Sequence, residues 1–124
     1  SNICTNQGLM ATAATVHMAT LGPEGFREVA RASYQNAHYL ADQLTGIDGL
    51  ELAYDAPFFN EFTVQTPGAA SALNDRLLEE GIIGGYDLGR DDESLGNHLL
   101  LAATELNTKA SIDRLVAVAA TSPG

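Results

Sequence analysis

Positive charge is scarce in this sequence. Six Lys and Arg residues stand against sixteen Asp and Glu, a formal net charge of −10, and the single lysine is Lys109. A nucleic-acid surface needs a basic footprint to displace counterions, so the balance argues against that class of partner. Cysteine is nearly absent. Cys4 alone excludes an internal disulfide and fits a reducing, cytoplasmic setting. Cys4 has no Cys partner and the three histidines are widely separated, so no metal site is expected. No apolar run reaches the roughly 18 residues of a membrane span, and no basic start leads into an apolar core with a cleavage site. There is no internal repeat, no low-complexity tract and no initiator Met.

What is present is enough for one domain. The chain has 124 residues, of which 45% are apolar, and can bury a core. Its acids are spread from Glu24 to Asp113 and read as a solvated face, with one local run, Asp91-Asp92-Glu93. The pattern predicts a helix over about Gln7 to Leu21, apolar enough to be mostly buried, with His17 as a core or interface histidine. Gly22 closes it and Pro23 opens a second helix running to about Thr45. Phe26, Val29, Ala30, Ser33, Ala37, Leu40, Ala41 and Leu44 form its apolar stripe. Tyr34, His38 and Tyr39 flank that stripe as packing and boundary residues.

Leu50, Leu52 and Tyr54 alternate with polar or small residues as a half-buried strand, and Phe58 to Gln65 forms a second strand. Ala69 to Glu80 follows as a helix with Leu73, Leu77 and Leu78 inward. Ile82 and Ile83 suggest a short edge strand, and Gly81, Gly84, Gly85 and Gly89 suggest turns or close backbone approach. His98 to Thr104 is a central strand, and Thr108 caps a last helix that buries Ile112, Leu115, Val116 and Ala119. The sum is an α+β two-layer sandwich, a small, mainly antiparallel sheet with helices packed on one face.

Chemistry is sparsely provided. The opening cluster Ser1-Asn2-Ile3-Cys4-Thr5-Asn6-Gln7 precedes a helix. Thr5 or Asn6 could cap it, or the free amides and hydroxyls could meet an anion such as a cofactor phosphate. The segment Gly81-Ile82-Ile83-Gly84-Gly85-Tyr86-Asp87-Leu88-Gly89 lacks the spacing and lysine of a phosphate-cradling loop. Its glycines serve either a turn or a close approach by a neighbouring chain or ligand, which makes Gly84, Gly85 and Tyr86 candidate interface residues. Lys109 lies in the first turn of the last helix, an exposed place unsuited to a Schiff base. Arg90, on a loop, could bind a carboxylate or form a surface ion pair. No residue is assigned a catalytic role.

Five segments taken in register carry a family resemblance. They are the opening cluster, Leu21-Gly22-Pro23-Glu24-Gly25, Pro57-Phe58-Phe59-Asn60-Glu61-Phe62, the Gly81 to Gly89 stretch, and Thr104-Glu105 with Thr108-Lys109. Together they resemble the C-terminal part of glycine dehydrogenase (decarboxylating) subunit 1, the α subunit of the two-subunit P-protein of the glycine cleavage system. The resemblance implies a pyridoxal-phosphate enzyme of fold type I. Residues 1–124 would then be its C-terminal small domain, a fragment of a longer chain, with residues 1–21 as a helix leading from a large domain. It further implies that the whole enzyme decarboxylates glycine and passes the aminomethyl group to the lipoyl arm of the H-protein. The cofactor lysine would belong to subunit 2. Ser1, Asn2 and Thr5 would lie near the cofactor phosphate across a subunit interface, and this fragment alone would be inactive and free of cofactor. Gly8 and the acidic Asp91-Asp92-Glu93 loop depart from the family pattern. Two other readings compete: a stand-alone regulatory or small-ligand-binding α+β domain, and the small domain of another fold type I enzyme.

Overall fold

The computed structural model describes residues 7–121. One helix, α1 (Gly8–Thr45), supplies the first third of the fold. Gly22 interrupts it at φ 61° and ψ −179°, a backbone conformation that suits glycine, and Pro23 starts the next segment. The expected stop and restart is therefore present, as a break within one long element. The cap position falls on Gln7, which makes no side-chain capping bond. Thr5 and Asn6, the expected caps, lie outside the described residues.

The remaining elements are β1 (Glu51–Leu52), β2 (Glu61–Gln65), α2 (Ala70–Glu79), β3 (Tyr86–Asp87), β4 (His98–Ala102) and α3 (Lys109–Ala119). Two short 3₁₀ turns, Leu88–Arg90 and Glu93–Leu95, link β3 to β4. The strands form one antiparallel sheet in the order β1-β2-β4-β3. The two-layer α+β reading holds, and β4 is central as expected. The edge strand forms four residues later than Ile82 suggested. Ile82 packs half-buried on the core and Ile83 faces solvent, so the pair reads as a turn and Tyr86–Asp87 takes the pairing to β4.

Register decides which side of the sheet is buried. Phe62 lies opposite Leu101 and Val64 opposite Leu99, and all four are in the core. They meet Ala37, Leu40, Ala41 and Leu44 of α1, Leu73 and Leu77 of α2, and Ile112 of α3. Burial of this apolar face at about 25 cal/mol per Å² drives the packing. Leu78 points away and is exposed, because it falls a third of a turn beyond Leu77. Leu115 and Val116 are only half-buried. Thr108 does cap α3, its hydroxyl accepting from the Ser111 amide at 3.2 Å.

Glycines in the β3 approach are fixed by this packing. A Cβ on Gly84 would sit 2.3 Å from Asn74 Oδ1, and one on Gly85 would sit 2.4 Å from the Leu100 carbonyl. Asn74 clamps the same segment, accepting from the Gly85 amide at 3.1 Å and donating to its carbonyl at 2.9 Å. Since the Leu100 carbonyl belongs to the central strand, it has little room to yield. Gly85→Ala is therefore expected to destabilise the chain by about 1–3 kcal/mol, the usual range for overpacking. Urea unfolding measures this, and an unchanged midpoint would contradict the close-approach account.

Candidate functional site

The chain has two surfaces that its own packing leaves unfinished. The first is the N-terminal segment of α1. Residues 7–20 are all exposed, with Leu9 82%, Met10 62%, Val16 59% and Met18 51% accessible. The sequence predicted that this helix would be mostly buried. Within the chain it is not, because the helix breaks at Gly22 and none of residues 7–20 joins the core. His17 is exposed too, touching only the Phe26 ring edge-on at 6.0 Å, so it is no core histidine. Several apolar side chains are thus presented at helical spacing without a partner.

The second surface is an aromatic series running outward from the core. Phe62 packs on Phe58 at 5.1 Å between ring centroids, Phe58 stacks on His38 at 4.1 Å, and His38 lies 4.0 Å from Tyr34. Phe59 closes the series 6.4 Å from Tyr34, and both of these rings are exposed. The His38 ring is oriented by its Nε2, which donates to the Phe58 carbonyl at 3.1 Å. A carbonyl can only accept, so Nε2 carries the proton. The Pro57 to Phe62 segment thereby grips α1, although only its last two residues enter a strand.

A polar clamp next to this series fixes the turn after β4. Asn36 donates to the carbonyls of Thr104 and Asn107 at 2.9 and 2.8 Å. Ser33 accepts from the Glu105 amide at 3.1 Å. Ser33 was legible only as part of an apolar stripe, and Asn36 carried no signal in the sequence. A small buried hydroxyl within a stripe of Ala and Leu is the cue that could have marked it.

The other candidates are placed as follows. Ser1, Asn2 and Thr5 lie outside the described residues. Gly84 and Gly85 are held between Asn74, Leu77 and Leu100 of the same chain. Tyr86 remains partly exposed, and its hydroxyl donates to Asp91 Oδ2 at 3.1 Å. That hydrogen bond, and then the Asp91 charge, raise the Tyr86 pKa. Lys109 is exposed and pairs with Asp113 at 2.6 Å. Its pKa is raised by the Asp113 hydrogen bond first and Tyr39 second, so it is protonated and committed. Asp113 is lowered by the same two partners, Lys109 first. Arg90 is exposed. His98 is buried with Nε2 at 3.0 Å from the Gln65 amide nitrogen, while its Nδ1 has no partner. Among the described residues no group of three His, Cys, Asp or Glu could hold a metal ion, and no helix is long and apolar enough to cross a membrane.

Comparison with known proteins agrees with this geometry. The profile of the family described as glycine cleavage system P-protein matches residues 1–119. A probable glycine dehydrogenase (decarboxylating) subunit 1 from Bacillus cytotoxicus is 53% identical over 94% of this chain and 26% of its own length. The protein of the same description from Thermomicrobium roseum is 52% identical over the same shares. The chain thus spans about a quarter of the length of these relatives. Among solved structures, a glycine decarboxylase (P-protein) of the glycine cleavage system superimposes with a TM-score of 0.83 at 36% identity. The match covers 97% of this chain and 27% of that one. An aminotransferase from Streptoalloteichus hindustanus shares the fold alone, at a TM-score of 0.58 and 16% identity over 76% of this chain. With a matching profile along almost its whole length, the chain belongs to the glycine cleavage system P-protein family.

Proposed function

We propose that this chain is the small C-terminal domain of subunit 1 of a two-subunit glycine decarboxylase. The observation that carries the reading is the superposition on a solved glycine decarboxylase, at a TM-score of 0.83 over 97% of the chain. The whole enzyme would decarboxylate glycine with pyridoxal phosphate in the cytoplasm and transfer the aminomethyl group to the lipoyl arm of the H-protein. The described residues do not fit a covalent cofactor site, because the only lysine is exposed, protonated and paired with Asp113. In this reading the cofactor lysine lies on subunit 2, and the present domain supports a site built elsewhere.

Its contribution would be to bind and to position. The exposed segment of α1 offers Leu9, Met10, Val16 and Met18 for burial, and the large domain of the same subunit is the partner that would cover them. Residues 1–21 would then lead from that large domain into this one. At the β3 edge, Gly84 and Gly85 are already required by packing inside the chain. The ring of Tyr86 is what that edge has left to offer subunit 2.

The test uses the full-length subunit assembled with its partner. Leu9→Glu combined with Val16→Glu should cut glycine decarboxylation at least tenfold. The secondary structure and unfolding of residues 1–124 alone should stay within about 0.5 kcal/mol, as for ordinary surface changes. Full activity in the double variant would end the docking role.

A finer proposal concerns Ser1, Asn2 and Thr5, placed by this reading near the cofactor phosphate. Asn2→Ala with Thr5→Val should weaken pyridoxal-phosphate binding by the assembled enzyme several-fold, followed by absorbance during dialysis. Unaltered affinity and turnover would remove these residues from the cofactor site.

A further inference from the structure

Arg76 stands apart from the other basic residues. Arg27 pairs with Glu24, Lys109 with Asp113, and Arg114 with Glu80. Arg31 and Arg90 are exposed, where water solvates a guanidinium. Arg76 is half-buried, its Nε is cut off from solvent without a hydrogen-bond partner, and no carboxylate of the described residues pairs with it. This happens in a chain with sixteen acids to choose from. Glu80, one turn further along α2, lies 3.9 Å from Arg114 instead. A partly desolvated cation without a counter-charge is costly to maintain.

The same side chain lines a cavity of about 190 Å³ between α2, the turn after α1 and the C-terminal end of α3. Ile47, Leu50, Leu73 and Ala119 give it apolar walls. Its two hydroxyls are already spent. That of Thr66 donates to the Gly68 carbonyl at 2.6 Å, and that of Thr121 to the Val118 carbonyl at 2.7 Å. Arg76 is therefore the uncommitted cation lining a space with largely apolar walls. Asp48 also lines the cavity, beyond ion-pair distance of Arg76, and would repel a second negative charge.

We propose that this cavity binds a small monocarboxylate with an alkyl tail. The carboxylate takes the planar guanidinium fork of Arg76, which suits two parallel hydrogen bonds. The tail lies against Ile47, Leu50 and Leu73. The modest volume limits the ligand to a short chain.

Equilibrium dialysis of radiolabelled butyrate against the intact chain tests the proposal. One saturable site is expected, with valerate competing and butanol not. Arg76→Gln should weaken binding at least tenfold. Arg114→Gln, which removes an arginine outside the cavity, should leave it unchanged, and Asp48→Asn should preserve or tighten it. Non-saturable uptake, equal binding by folded Arg76→Gln, or equal loss in Arg114→Gln would each overturn the site. If Arg76→Gln fails to fold, the competition decides, because butanol displacing butyrate as well as valerate does would rule out recognition of the carboxylate.

Discussion

Everything in this domain rests on the contact between the second segment of α1 and the inner face of the sheet. Ala37, Leu40, Ala41 and Leu44 lie against Val64, Leu99 and Leu101, all buried. Small side chains on the helix let it approach closely, and leucines fill the space that remains. Once that seat is taken, α2 and α3 can only close the same layer, and the polar residues on the rim lock the turns in place. Ser33 and Asn36 do so for the turn after β4, and Asn74 for the strand that follows α2.

The same helix also carries an exposed apolar segment. Up to Gly22 it is as apolar as a core element, yet none of it is buried in this chain. Leu9 and Val16 share one face of it, Met10 and Met18 lie on others, and all four remain in water. The relatives in the P-protein family are about four times as long as the chain. One part of the chain is packed by its own core, and the first segment of α1 is left exposed.

Much of the architecture was legible because it is local. Gly22-Pro23 announced the break, Thr108 announced the start of α3, and the stripe from Phe26 to Leu44 announced the seat, although only its part from Ser33 onward is buried and Phe26 and Ala30 are exposed. The failures share one physical cause, that burial depends on what the rest of the chain can reach. Helix apolarity promised a buried first segment, but the helix breaks at Gly22 and none of residues 7–20 joins the core. Ile82 and Ile83 have strand propensity, yet Gly84 and Gly85 are what allow the backbone close to Leu100, so pairing begins at Tyr86. The candidate surface was legible in part. The Pro57 to Phe62 segment stood out, while the stacking of Phe58 on His38 and the approach of Phe59 to Tyr34 depend on tertiary contacts that no spacing encodes.

The most direct test of the central claim follows oxidation of Met10 and Met18, which are exposed on the first segment of α1. Dilute peroxide and mass spectrometry would be applied to residues 1–124 alone and to the full-length subunit with its partner. Both methionines should oxidise readily in the short chain and become strongly protected in the assembled enzyme. Equal oxidation rates in the two would show that no partner covers this helix, and would contradict the account.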